Sequence, residues 1–332
     1  MVKYTLQRLL AALITLLVTM TVIYVIINLL PNQLLEHLVN FNPMEQNVVQ
    51  GMPHVTDHTV QVIMERFRWD QPLPTRFLFM LRGYLTGDFG ISLIVRPNIT
   101  VWAVMAQHLP VTIQLNFFAL FLILPLGIFF GISTALTKDS IYDHTAQTFV
   151  VLFIAAPVFV VAALMQYWLA FRFGWFPILL APEGNLNWTR FYSMILPIIA
   201  LSFGPIAHMA RVLRAELTEA ITSDYMLLAR AKGQSYKQAI IWHALRNACV
   251  PLTGTFLFVF LGLLSGSLII EQIFSIPGIA RVLLHSISAH DYQLTIAILY
   301  FYVALALAAT ILVDLGLAIM DPRIRMGGRK DA

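Results

Sequence analysis

Residues Val111–Leu136 read VTIQLNFFALFLILPLGIFFGISTAL, with no Asp, Glu, Lys or Arg among them. At about 1.5 Å of rise per residue, such a run crosses the roughly 30 Å hydrocarbon core of a bilayer as one helix. It lacks the short alternating pattern of a barrel strand, and a lipid-immersed backbone must satisfy its own polar groups, so the helical reading stands. Working outward, five further runs have the same character: Leu9–Leu30, Thr145–Phe171, Tyr192–Leu213, Ala248–Ile270 and Leu294–Met320. The fold class expected is therefore all-α, a polytopic membrane protein with six transmembrane helices.

Composition agrees. Of 332 residues 59% are hydrophobic and 11% charged, against about 25% charged in an ordinary soluble domain. A soluble enzyme, a disordered chain and a nucleic-acid-binding domain are excluded. Cys249 is the single cysteine, which excludes an intramolecular disulfide and any multi-cysteine metal site. The first run, behind Lys3 and Arg8, is too long for the apolar core of a signal peptide. The following NLLPN at Asn28–Asn32 offers no small-residue cleavage site, so this run is read as a retained span.

Six spans leave both ends on one side, and the basic residues choose it. Segments assigned inside carry Lys3, Arg8, Lys138, Arg211, Arg214, Arg230, Lys232, Lys237, Arg246, Arg323, Arg325, Arg329 and Lys330. Short segments assigned outside carry only Arg172, Arg190 and Arg281. The stretch Pro31–Pro110 holds five arginines, but long loops translocate largely regardless of charge. Both termini are therefore expected in the cytoplasm. The organisation that follows is a terminus and first span over 1–30, an outer helical cap over 31–107, a five-helix transmembrane domain over 108–320 and a cytoplasmic tail over 321–332. The cap has its own apolar periodicity around Val60, Ile63, Met64 and Phe67.

The inner connection from Arg214 reads RAELTEAITSDYMLLARAKGQSYKQAIIWHALRNACVP. Ser223 and Asp224 suit a helix N-cap, and Tyr225–Lys232 is a helix-forming run. Gly233 supplies the left-handed residue that ends many helices, with Arg230 and Lys232 near the negative end of the dipole. Ser235 and Gln238 fit a capping box that starts a second helix. The short helix has an apolar and a basic face. It reads either as a docking device or as an amphipathic helix resting on anionic headgroups.

Five stretches together resemble ABC-importer permeases of the peptide/nickel class. They are GDFGIS at Gly87–Ser92, HLPVTIQL at His108–Leu115, ARAKG at Ala229–Gly233 with HALRNACVP at His243–Pro251, GSLIIEQIFSIPGIARVLLHSISAHDY at Gly266–Tyr292, and DPRIR at Asp321–Arg325. The resemblance covers nearly the whole chain, most specifically Tyr225–Arg325. The broader importer signature begins Glu-Ala-Ala, whereas those positions here are Leu227, Leu228 and Ala229.

The resemblance implies a binding-protein-dependent type I transmembrane fold with a coupling helix at about 224–233. That helix would seat Asp224, Tyr225, Ala229, Arg230, Ala231, Lys232 and Gly233 in a groove on an ATP-hydrolysing subunit. It also implies a second homologous permease, two ABC ATPase subunits, an extracellular solute-binding protein and a peptide substrate, in a bacterial cytoplasmic membrane. Alternating access would be driven by rigid-body motion. No G-x-x-x-x-G-K-[ST] phosphate loop occurs in the sequence. The chain is accordingly expected to be no enzyme and to hold no cofactor, ATP and Mg residing on the partner subunits.

Ionisable residues near spans default to a functional reading. Glu271 closes the fifth span and is either a gate to the pathway or a solvated interfacial acid. His208 is either a relay or pathway residue or one facing a polar seam, while Arg211 can snorkel. Asp314 is read as structural, paired with a basic residue of a neighbouring helix. His54 and His58 have a spacing that fits zinc but lack a third ligand nearby, so coincidence is preferred. Ser265 has no partnered histidine, and no catalytic constellation is found. Around Pro277, suited to a first helical turn, Ile279, Val282, Leu283 and Ile287 recur on one helical face. Trp168, Trp175, Trp188 and Trp242 sit near predicted interfaces. Gly254, Gly262, Ser265 and Gly266 suit close helix packing. The function expected is uptake of oligopeptides or dipeptides, with a nickel or metal-chelate importer as the near alternative. An ion-coupled secondary transporter is the alternative from another class, and it would show an inverted repeat and broken spans.

Overall fold

The computed structural model describes residues 2–29, 71–181, 187–249, 252 and 267–320, with side chains described between residues 5 and 315. Four helices are long and apolar enough to cross a membrane: α1 (Val2–Leu29), α3 (Val101–Leu136), α6 (Trp188–Ile221) and α11 (Tyr292–Met320). Between them lie α2 (Leu73–Leu85), α4 (Ile141–Ala155), α5 (Val158–Met165), α7 (Asp224–Ala231), α8 (Tyr236–Ala239), α9 (Leu268–Ile273) and α10 (Ile279–Ser288). Two π-helical stretches, Gln166–Arg172 and Ile240–Ala244, continue α5 and α8. Apart from a lone bridge between Ile91 and Thr100, regular structure among the described residues is helical.

The third predicted span departs from expectation. The sequence predicts one helix over Thr145–Phe171, but α4 stops at Ala155 and α5 restarts at Val158, bent from it by 101°. Pro157 has no N–H to give to the preceding turn, and its ring crowds that turn's carbonyl. Most of the fifth predicted span lies outside the described residues. So do the periodicity around Val60, the histidines His54 and His58, the small residues Gly254, Gly262, Ser265 and Gly266, and the basic tail.

The chain forms two compact units. One comprises Met1–Ala12, Pro110–Arg281 and Leu305–Ala332, and the other Leu13–Leu109 and Val282–Ala304.

In the first unit, Leu115, Ile123, Met194, Leu196, Leu213, Leu217, Ile270 and Phe274 form the buried core. α3 and α6 approach closely where Gly127 faces Met209 and Gly131 faces Leu213; a Cβ at Gly131 would sit 2.7 Å from that of Leu213. Small residues four apart let backbones meet in lipid, where dispersion rather than water exclusion holds helices together. Arg8 pairs with Asp314 at 3.1 Å, the structural pairing that the sequence suggested for that acid.

In the second unit, α2 lays Leu73, Phe77, Met80, Leu81 and Tyr84 against a cluster of Met20, Tyr24, Ile27, Ile296 and Tyr300. That spacing is the apolar stripe of an amphipathic helix. The Tyr300 hydroxyl donates to the Met20 carbonyl at 2.7 Å, tying the first and last long helices. Asp291 is fully buried; its Oδ2 accepts from Ser92 Oγ at 2.6 Å and from the backbone N–H groups of Leu93, Ile94 and Val95, each at 3.1 Å. Three successive amides around one carboxylate form a nest. Ser92 and Asp291, from two of the stretches that carry the family resemblance, are partners across this contact.

Candidate functional site

α6 ends at Ile221, and only Thr222 and Ser223 separate it from α7. Ser223 bends back, its hydroxyl donating to the Ala220 carbonyl at 2.6 Å. It therefore occupies the N-cap position of α7 without a side-chain cap bond. The end of α7 follows expectation. Gly233 has φ +89°, its N–H donates to the Arg230 carbonyl, and that of Gln234 reaches the Ala229 carbonyl. These bonds satisfy carbonyls that a helix end leaves open. The capping box is complete, with the Gln238 amide N–H on Ser235 Oγ and the Ser235 N–H on Gln238 Oε1.

This helix–break–helix unit has two faces. Met226 and Ala229 are buried in the same cluster as Leu213, Leu217 and Ala220 of α6 and Ala239, Ile240 and Ala244 of the following helix. Asp224, Tyr225, Arg230, Ala231, Lys232 and Gly233 are exposed. The Arg230 guanidinium lies 5.7 Å from the centre of the Tyr236 ring, a cation–π contact that orients one basic side chain. Ala229 thus keys the helix to the bundle and is not on its outer face. The outer face instead includes Leu227 and Leu228, exposed at 64% and 57%. Sequence reasoning passed over these two as departures from the importer signature; their spacing from Met226 and Ala229 was the available signal.

Above this unit, Asp143 and Arg214 form a bidentate pair, Nε to Oδ1 at 2.7 Å and Nη2 to Oδ2 at 2.6 Å. The Asp143 side chain is 1% exposed. Its Oδ2 also accepts the Asp139 N–H at 3.1 Å, and Ser140 caps the same helix end by accepting the Asp143 N–H. Sequence reasoning counted Arg214 only as a basic residue of the inner side and did not find its partner.

Glu271 is not the solvated interfacial acid of one expectation: it is fully buried. Its carboxylate accepts from Thr112 Oγ1 at 2.8 Å and from the Arg281 N–H at 2.9 Å, while Thr112 Oγ1 accepts the Ile279 N–H at 2.9 Å. Two otherwise open donors of the first turn of α10 are thereby satisfied by residues of α3 and α9. Pro277 precedes that helix and does not enter its first turn, which begins at Ile279. Of the face read for α10, Ile279, Val282 and Leu283 are buried and Ile287 is exposed. His208 and Arg211 are exposed on α6 beside buried Ala207, Met209 and Ala210. No hydrogen bond or ion pair among the described residues joins His208 to Glu271. The four tryptophans Trp168, Trp175, Trp188 and Trp242 are all exposed.

Comparison with known proteins fits these features. Residues 127–326 match the family described as binding-protein-dependent transport system inner membrane component. The chain is 37% identical over 274 residues to the dipeptide transport system permease protein DppB of Lactococcus lactis subsp. cremoris, covering 82% of this chain and 88% of that one. It is 33% identical to DppB of Bacillus subtilis, over 84% of this chain and 90% of the other. To the oligopeptide transport system permease protein OppB of Salmonella typhimurium it is 31% identical, over 79% and 84%. Among solved structures, a chain of the methionine ABC transporter MetNI in inward-facing conformations superposes with a TM-score of 0.52 at 15% identity, covering 66% of this chain and 97% of that one; this likeness bears on the fold alone. With the family match spanning most of the helices described above, the chain belongs to the inner membrane components of binding-protein-dependent transport systems.

Proposed function

We propose that this chain is the permease subunit of an ATP-driven importer that moves dipeptides or oligopeptides across a bacterial cytoplasmic membrane by alternating access. The observation that carries the reading is the helix–break–helix unit of α7 and α8, keyed inward by Met226 and Ala229 and presenting Leu227, Leu228, Arg230 and Lys232 outward. A groove on an ATPase subunit is the partner for that face. A second permease, two ATPases carrying ATP and Mg, and a solute-binding protein complete the importer, and this chain needs no nucleotide site of its own. The DppB and OppB relatives support peptide as the cargo. Both termini lie with α7 on the cytoplasmic side.

The ion-coupled alternative draws support from one feature, the broken third span. That class uses a pair of broken helices in corresponding positions of two repeats, and among the described residues one bent pair occurs.

Gentle purification of the tagged chain from its native membrane, with identification of every co-purifying protein, tests the proposal. Two ATPases and a second six-span permease are expected, together with ATP-dependent uptake of labelled dipeptide in proteoliposomes. A homo-oligomer without an ATPase would overturn it.

A further inference from the structure

We propose that the bidentate Asp143–Arg214 pair is the joint through which movement of α7 reaches the third span, and that it sets how much peptide crosses per ATP hydrolysed. This inference rests on the permease reading above.

The chain of contacts is continuous within the first unit. α7 follows α6 after a link of two residues, and Met226 and Ala229 share a buried cluster with Leu213, Leu217 and Ala220. Thr222 and Ser223, the short link between the helices, are themselves hydrogen-bonded to the last turn of α6. Arg214 lies about two turns before that end and holds Asp143, in the first turn of α4, with two parallel N–H···O bonds. Asp143 in turn fastens the α3–α4 turn through the Asp139 N–H. α4 then runs unbroken to Ala155, and beyond Pro157 the chain continues at 101° to it. A displacement of α7 is thus delivered to the near end of a lever whose far end is the break in the third span.

The chemistry of the joint suits transmission better than adhesion. Apolar side chains at a helix interface can slide, whereas a guanidinium in bidentate contact with a carboxylate fixes distance and orientation together. Asp143 has left water and Arg214 has partly done so, and the cost of that desolvation offsets much of what the attraction between the charges contributes to stability. Fixed register between α4 and α6 is what such a pair supplies and an apolar contact does not. Asp143 and Arg214 are positioning residues, acting through the two helices that they join.

The test uses the complete importer reconstituted in proteoliposomes with its ATPases and binding protein, scoring labelled peptide taken up and phosphate released in the same vesicles. Arg214→Lys keeps the charge and loses the fork; Asp143→Asn keeps the shape and loses the charge. The expected result is ATP hydrolysis within about twofold of wild type while peptide moved per ATP falls about tenfold, in the range by which coupling elements alter linked equilibria. Asp143→Leu combined with Arg214→Met removes both charges together. It is expected to assemble normally and to show the same uncoupling, so a single variant that fails to assemble does not end the test. Uptake and hydrolysis falling in proportion, or neither falling, in the assembled variants would overturn the inference. Failure of the wild-type complex to import peptide would instead overturn the permease reading.

Discussion

Glu271 and Gly278 are joined by a single packing requirement. A Cβ on Gly278 would overlap the Glu271 carboxyl group, and that carboxylate cannot retreat without releasing the Thr112 hydroxyl and the Arg281 N–H. Gly278→Ala is therefore expected to destabilise the chain by about 1–3 kcal/mol, the usual cost of forcing atoms into a filled site. Glu271→Ala strands the buried Thr112 hydroxyl and the half-buried Arg281 N–H, at about 1–3 kcal/mol for a buried donor left without a partner. Thermal unfolding in detergent is the measurement, and a lowered Tm is expected for both variants. An unchanged Tm for Glu271→Ala together with lost uptake would make this residue a gate and not an anchor. The acid was legible in the sequence; its burial was not, because the partners that hold it are 159 residues away on α3 and 10 residues on along the chain.

At the scale of elements, α7 ends where it does because Gly233 adopts φ +89°, a conformation that costs an L-residue with a Cβ roughly 1–2 kcal/mol. Gly233→Pro adds two further faults: proline fixes φ near −65° and removes the N–H that reaches Arg230. Insertion of the spans into the membrane is expected to be normal for this variant and peptide uptake lost, measured by membrane fractionation and vesicle transport. Normal uptake would show that the fixed break between α7 and α8 is dispensable. The third span teaches the opposite lesson about local signals. Pro110 and Pro125 lie inside α3 and Pro197 and Pro205 inside α6, all within continuous helices, whereas Pro157 breaks its helix. Proline weakens a helix at a known place; whether the chain turns there is decided by what the two halves pack against.

For the whole molecule, the placement of basic residues predicts that α7 faces the cytoplasm and the start of α6 faces outward. In a Cys249→Ser background, Trp188→Cys is expected to react with a membrane-impermeant maleimide added to intact cells, and Lys232→Cys only after the membrane is opened. Trp188 is 73% exposed and Lys232 is exposed, so burial within the chain does not block either reaction. Labelling of Lys232→Cys in intact cells would invert the topology.

Sequence alone determined the membrane class, the long apolar helices, the left-handed stop at Gly233 and the capping box at Ser235 and Gln238. Each is a local property: apolar length is set by the bilayer, and caps join residues three or four apart through the backbone. The Gly127–Gly131 contact also had a local signal, two glycines four apart in an apolar helix, which went unread. Tertiary structure decided the rest. Asp143 finds Arg214 across 71 residues and Asp291 finds the Ser92 turn across 199, and nothing in either neighbourhood names its partner. A charged side chain near lipid announces that it needs a counterpart, because leaving it unpaired is costly. Which counterpart it takes depends on how the helices pack, and that is settled by the fit of surfaces contributed from distant parts of the chain.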